Sequence, residues 1–509
     1  MDSENTDDPD RLPPETLRPG ELRGDPLRRA LRLITLSGMF WAVWNTTIAG
    51  APVTLYAKSL GATGFEFGVL ASLQFVASLV SLPGSYLIER TGRRRGIFLW
   101  SLYTQRLLWF PIALLPWWMV YRFGFAAGQH AVVLFLTLMF VMYAGNAIGG
   151  PAWTSWVADI IPDRSRGRFF SQRRSWGLAA AVPAAAYAGW QLDRVARANT
   201  AGNPLITLQW CAILFMWAAV FGFFDINVYH FVPDVPKQPR RGSHLLRALA
   251  GPLRDRQFLL FAGFVATLTA AVGPMAQFVT LYLIDRVGVT NQQVQFMLLV
   301  APMLAQIVFF PTWGKVADRM GRRPVLAVAS LGLVPVGLGW CLMSGSGTLG
   351  IVLGYVLSMA GAVLWSGVEV ANFNMVVEFS GSQENDQDGA ARGTAYVAVN
   401  SVIVNLAGMI SGILWGLIAQ RLRDWHWSPA AGVRPLTFFE VLFAFSAALR
   451  LAAVLFLPFI HEPSARPARE AVRYMGANIY NNLFNAVLLP VRFAGLLRRE
   501  SYVESPDVD

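Results

Sequence analysis

Few side chains in these 509 residues could do chemistry, and most of those stand where ionisable groups are costly. Glu369 lies roughly twenty residues into a continuous apolar run, with Asn372 and Asn374 about one turn further on. Arg106 sits about ten residues into a second run, Asn146 near the middle of a third, and Gln277 just after Gly273-Pro274 in a fourth. Trp41, Trp44 and Asn45 share an earlier run. Polar groups inside apolar runs are expensive unless they face one another or water, so an acid, a base and a few amides read first as a solute or ion site. The competing reading is structural, with amides bridging helices and tryptophans packing or anchoring. Covalent chemistry finds no support. The chain has no Gly-x4-Gly-Lys-Ser/Thr to cradle a phosphate, no His-Glu-x-x-His and no Gly-x-Ser-x-Gly. His130, His230, His244, His426 and His461 lack the spacing of metal ligands. An enzyme, a metal centre and a resident cofactor are therefore not expected, while a coupling ion, proton or sodium, stays open.

The elements that hold these residues follow from composition. The chain is 54% apolar and 14% charged, against about 25% charged for soluble domains, so it lacks the polar surface to live in water. Apolar runs can be read at 33–57, 66–88, 96–121, 131–158, 175–192, 205–232, 257–284, 293–313, 324–343, 348–377, 394–420 and 435–460. The expectation is an all-α membrane protein with twelve transmembrane helices. A transmembrane barrel is excluded, because it needs alternating strands of about ten residues. Residues 1–26, acidic and proline-bearing, read as a disordered tail and not a signal peptide. Cys211 and Cys341 both fall in apolar runs and suggest no disulfide framework.

The net charge of +11 comes from short basic clusters between runs, which favours membrane topology over nucleic acid. The tails and the loops after even-numbered spans hold 32 Lys or Arg, and the loops after odd-numbered spans hold 8. That asymmetry puts both termini in the cytoplasm. Only Lys58, Lys237 and Lys315 are lysines, a bias consistent with a GC-rich bacterial genome and hence an inner-membrane location. Internal repeats divide the spans. Val53-Thr54-Leu55-Tyr56 recurs as Val279-Thr280-Leu281-Tyr282, and Arg166-Gly167 as Arg392-Gly393, each at the same helix boundary. Two parallel six-helix halves follow, 27–232 and 257–462, joined by a basic linker at 233–256. In the tail 463–509, apolar residues from Val472 to Leu497 recur at three- and four-residue spacing, which predicts an amphipathic helix on the inner leaflet.

The third repeat carries a family resemblance. Gly314-Lys-Val-Ala-Asp318-Arg319-Met-Gly321-Arg322-Arg323 resembles the loop signature of the major facilitator superfamily at every fixed position. The first-half copy is degenerate, with Ser85 for the glycine and Glu89 for the aspartate, while Arg90, Gly92, Arg93 and Arg94 fit. The glycine that opens the motif reads as a point of close helix approach, and Gly92 and Gly321 as tight turns. Asp159 with Arg166 resembles the acid and arginine that sugar-porter members place after the fourth span to brace this loop, and Glu378 with Arg392 are their second-half counterparts. The fifth span carries the proline of a drug-antiporter signature, Pro183, without its neighbouring glycines. The resemblance implies a secondary transporter, a monomer in lipid, moving a small organic solute between two rocking halves. Spans one, four, seven and ten would line its cavity, and the loop charges Glu89, Arg90, Arg93, Asp159, Arg166, Asp318, Arg319, Arg322, Glu378 and Arg392 would gate it. A receptor or scaffold with the same fold is the alternative. Breaks at Gly50-Pro52 and Gly273-Pro274, in corresponding places, point to the binding site.

Overall fold

A computed structural model describes residues 24–123, 128–161, 163–234, 251–343, 345–381, 389–428, 435–462, 465–467, 469–470 and 473. The side chains of Glu89, Arg166 and Arg392, most of the 233–256 linker and nearly all of the 463–509 tail with its expected amphipathic helix lie outside the described residues.

The described residues form twelve helical passes. Seven are single helices: Gly128–Ile160, Asp163–Ala198 and Pro204–Val228 form passes four to six, Arg322–Gly339, Thr348–Gly381 and Gly389–Arg421 form passes nine to eleven, and one more forms the last. The twelfth is Phe438–Val454, entered through a two-residue antiparallel pairing of His426–Trp427 with Leu436–Thr437. The others are jointed: Gly24–Ile48 with Ala51–Ser59, Gly64–Ser78 with Ser81–Thr91, Arg94–Leu107 with Trp109–Phe123, Arg256–Ala270 with Ala276–Leu281, and Asn291–Gln295 with Ala301–Met320. Eight passes have the length and apolarity to cross a membrane unaided. The first, third, fifth and seventh do not, and the first three of these carry some of the polar groups of the candidate site, Asn45, Arg106, Arg173 and Arg174.

The breaks in the first and seventh passes are repaired by neighbours, as irregular backbone at membrane depth must be. At the break in the first pass Gly50 has φ +73°, and a Cβ there would collide with Gln295. That glutamine, fully buried in the eighth pass, donates to the carbonyl of Thr46 (3.2 Å) and accepts from the amide of Ala51 (3.4 Å). At the break in the seventh pass the freed carbonyls of Ala270 and Ala271 accept from the hydroxyls of Ser411 (2.5 Å) and Ser446 (2.6 Å). Polar side chains from other passes thus replace bonds the two helices have lost.

The apolar core is one body at one end of the bundle and two at the other. Residues at the end bearing the odd-numbered loops, from both halves, form a single cluster that includes Tyr56, Phe215, Tyr282 and Phe443. At the even-loop end the cluster around Phe98 and Trp156 belongs to the first half alone, and the one around Phe258 and Trp313 to the second alone. The halves are joined at the odd-loop end and parted at the even-loop end.

Glycine makes that joint close. Gly64 and Gly68 of the second pass lie against Gly412 and Gly416 of the eleventh with backbone touching backbone, such that a Cβ on Gly416 would stand 2.7 Å from the Cα of Gly68. Asp193 in the fifth pass caps the start of the eighth, accepting from the amides of Asn291 (2.6 Å) and Gln292 (3.0 Å). Lys58 pairs with Asp285 at 2.5 Å, and Thr54 donates to Gln277 at 3.2 Å. Gln277, expected in a binding site, therefore belongs to the closed end.

Candidate functional site

Three chambers share walls, two of them between the parted halves and the second lined by the first half alone. The first, about 570 Å³, is bounded by Asn146 of the fourth pass, Asn372 of the tenth and Asn400 and Asn405 of the eleventh. The second, about 200 Å³, shares Asn146 and Gly150 with it and adds Trp41, Arg106, Asp225 and Arg173. The third, about 530 Å³, shares Trp41 and Arg173 with the second and reaches Asn45, Arg174 and Gln306. Four of the eight residues expected at the site, Trp41, Asn45, Asn146 and Asn372, thus line chambers, and Arg106 forms a wall.

Trp44 does not face the cavity. It is buried, and its indole face carries the guanidinium of Arg106, whose carbon stands 3.7 Å from the ring centroid. Arg106 is almost wholly buried and is neutralised by Asp225 of the sixth pass, which accepts from its Nε (3.2 Å) and Nη2 (2.8 Å) through Oδ2. Ser37 of the first pass donates to Oδ1 at 2.7 Å, and Gln105 accepts from Nη1. Gly222, one turn before Asp225, leaves space for the Arg106 side chain, which a Cβ would strike at 2.6 Å. Asp225 escaped the sequence reading although it is an acid inside an apolar run, the same signal that singled out Glu369.

Arg173 and Arg174 were also missed, having been counted with the basic loop before the fifth span. The helix there starts at Asp163, a dozen residues earlier than apolarity suggests, and carries both arginines into the cavity wall. Arg174 donates to Gln306 of the eighth pass at 2.7 Å and lies within electrostatic reach of Glu369. Glu369, exposed between the halves, sits beside Trp365 and faces Arg174 rather than Arg106. Arg173 donates from Nε to the carbonyl of Ile34 (3.2 Å), its one hydrogen bond among the described residues, and its guanidinium lies 5.0 Å over Trp153. Gly38 admits it, since a Cβ there would stand 2.8 Å from that Nε. No carboxylate among the described residues pairs with Arg173.

At the even-loop end the signature loops are tied within each half. Arg94 donates to Asp159 at 2.6 Å and to the carbonyl of Ser155 at 2.9 Å. Arg322 pairs with Glu378. Glu462, buried just past the twelfth pass, accepts from the amides of Arg322 (2.9 Å) and Arg323 (2.8 Å), placing a carboxylate on the free amides that open the ninth helix. Gly92 and Gly321 have φ of +66° and +94°, the left-handed turns that glycine allows. Gly314 departs from expectation: a Cβ there would meet open space, so no helix approaches it in this conformation. Asp318 is exposed without a partner among the described residues, Arg90 and Arg93 are exposed, and Arg319 is engaged.

A helical bundle in two packed groups, shut at one end around paired glycines and holding charged chambers open toward the other, is a membrane transporter of the alternating-access kind. The sequence model of the Major Facilitator Superfamily matches residues 33–396, and the chain belongs to that family of secondary transporters. Among curated proteins the Ectoine/proline transporter ProP of Corynebacterium glutamicum is 24% identical over 374 residues, covering 68% of this chain and 69% of that one. Among solved structures, a point mutant of the nucleoside transporter NupG aligns with TM-score 0.57 at 15% identity over 86% of this chain and 100% of its own. The xylose transporter XylE from E. coli, in a partially occluded inward open conformation, aligns with TM-score 0.55 at 15% identity over 86% and 100%. At such identities the solved structures speak for the fold alone.

Proposed function

We propose that the chain carries a small carboxylate-bearing organic solute across the bacterial inner membrane, as a monomer in lipid with both termini and the even-loop end in the cytoplasm. The present conformation is then open inward. Residues 27–232 and 257–462 are the rocking halves and 233–256 their linker. Trp41, Asn45 and Gln306 surround the solute, while Asn146, Asn372 and Glu369 lie on its path. Asp159, Glu378 and Glu462 hold the signature loops that govern exchange between faces.

The observation that carries the solute class is Arg173. A guanidinium has five donors, and among the described residues this one spends a single donor on protein while lining two chambers at once. A planar fork of that kind, left facing a cavity, calls for a carboxylate. Glu369 across from Arg174 offers a partner for a positive nitrogen, which suits the relative named for ectoine and proline, both of which join a carboxylate to such a nitrogen. The test is thermal unfolding of the purified protein with a panel of small carboxylates, L-proline and ectoine among them, each paired with its amide. A solute that binds the folded state raises the melting temperature by mass action. Carboxylates should shift it, their amides should not, and Arg173→Gln should abolish the shift. Equal shifts from the amides, or no shift from any carboxylate, would overturn the assignment.

A further inference from the structure

Arg450 of the twelfth pass is a buried cation that the solute reading leaves unused. It is 7% exposed, and none of the three chambers reaches it. It follows Asp225 along the chain by one residue less than the interval between the two Val-Thr-Leu-Tyr repeats, so the two stand at corresponding places in the halves. The arginine and its glycine notch have traded passes. In the first half Arg106 of the third pass lies against Gly222 of the sixth, whereas in the second half Arg450 of the twelfth lies against Gly337 of the ninth, where a Cβ would stand 2.6 Å from its Nη1. The acid has no counterpart: among the described residues no carboxylate pairs with Arg450.

The guanidinium is also short of acceptors. Nη1 donates to the carbonyl of Leu333 at 3.4 Å, Nη2 to the thioether of Met275 at 3.2 Å, and the buried Nε has no partner among the described residues. A guanidinium keeps its proton in a protein, and an ionised group out of water is costly unless an opposite charge and hydrogen bonds meet it. The thioether is a weak acceptor on a side chain with three rotatable bonds, so Met275 can turn away and give its place to a stronger one. Met275 closes the break in the seventh pass, where Ser446, one turn before Arg450, donates to the carbonyl of Ala271.

We propose that Arg450 holds a halide ion, chloride, on its Nε–Nη2 edge at the break of the seventh pass. A single-atom anion accepts from both N–H groups of that edge and requires nothing of the other neighbours. Leu333, Gly337 and Met275 offer no side-chain donor, so the further oxygens of a carboxylate, phosphate or sulfate would be left unpaired in a buried place. The halide gives the second half the negative charge that Asp225 gives the first, and its site does not depend on the solute class.

The test is thermal unfolding of the full-length protein in detergent, freed of halide and returned to sodium chloride or sodium bromide, with sodium methanesulfonate at equal ionic strength as control. A second series carries Arg173→Gln, which takes anions in the solute chambers out of the reading. Both halides should raise the melting temperature in both series, by a steady increment for each tenfold in concentration once the site is filled. Methanesulfonate should not, and Arg450→Gln should abolish the rise. An equal rise in methanesulfonate, no rise with halide, a rise that Arg173→Gln removes, or one that survives Arg450→Gln overturns the proposal. Should Arg450→Gln fail to fold, crystals of the unsubstituted protein grown in bromide decide. An anomalous-scattering peak within hydrogen-bonding reach of Nε supports the site; peaks at the surface only, or none, overturn it.

Discussion

Replacing Gly416 by alanine should open the odd-loop end of the bundle. The added Cβ would stand 2.7 Å from the Cα of Gly68 and 3.0 Å from the carbonyl oxygen of Phe65, whereas ordinary contact begins at 3.4 Å. Both obstacles are backbone, so no side chain can rotate away and the second and eleventh passes must separate by about 0.7 Å. Overpacking of this kind costs about 1–3 kcal/mol, and only the closed arrangement bears it. Alanine's gain in helix propensity, roughly 1 kcal/mol, accrues to both arrangements and cancels in their ratio. The ratio of open to closed should therefore rise about 5- to 150-fold. The Lys58–Asp285 pair across the same seam provides the contrast. Its side chains are 48% and 33% exposed, and such pairs contribute at most about 1 kcal/mol and fade with salt. Lys58→Met should then change the ratio a few-fold at most. A cysteine at position 277, in a background with Cys211 and Cys341 replaced by alanine, reports the opening through its labelling rate with a maleimide applied from the odd-loop side. Labelling of the Gly416→Ala protein at the parent rate, or a larger effect from Lys58→Met, would refute the claim that backbone contact and not charge holds this end shut.

The remaining expectations concern the other end and the cavity. Glu462→Ala removes the carboxylate from the two half-buried amides that open the ninth helix and should destabilise the protein by roughly 1–3 kcal/mol in thermal unfolding, whereas Asp318→Ala, at an exposed position, should leave the melting temperature unchanged. Arg322→Ala should abolish net flux in vesicles while leaving the solute-induced melting shift intact; a variant with normal flux would remove the loop from gating. Glu369→Gln should weaken solutes that carry a positive nitrogen by roughly tenfold, for loss of a charge-assisted contact worth about 1.5 kcal/mol, and should leave purely anionic solutes unaffected, as the paired melting screen would show.

What could be read from the sequence and what could not divides along the range of the interactions involved. Span number, the signature loop and the breaks at Gly50 and Gly273 are local facts, carried by apolar runs of membrane length and by residues that cannot continue a helix. Gln295, Ser411 and Ser446, which repair the breaks, are unremarkable in sequence because their partners lie far along the chain. The same distance hid the pairing of Arg106 with Asp225, 119 residues apart, although each is visible alone as a charge in an apolar run. Arg173 and Arg174 were misplaced for a different reason. An apolarity window ends a span where charge begins, but a transporter helix can keep its charge where it faces a water-filled chamber and not lipid. Gly314 shows the last limit. Its motif is complete, yet no neighbour approaches it here, while Gly68 and Gly416, which belong to no motif read from the sequence, are in backbone contact. In an alternating structure the two ends exchange such contacts, so a close-packing glycine at the open end stands free. Sequence specifies both arrangements at once, and only a difference of a few kcal/mol decides which glycines touch.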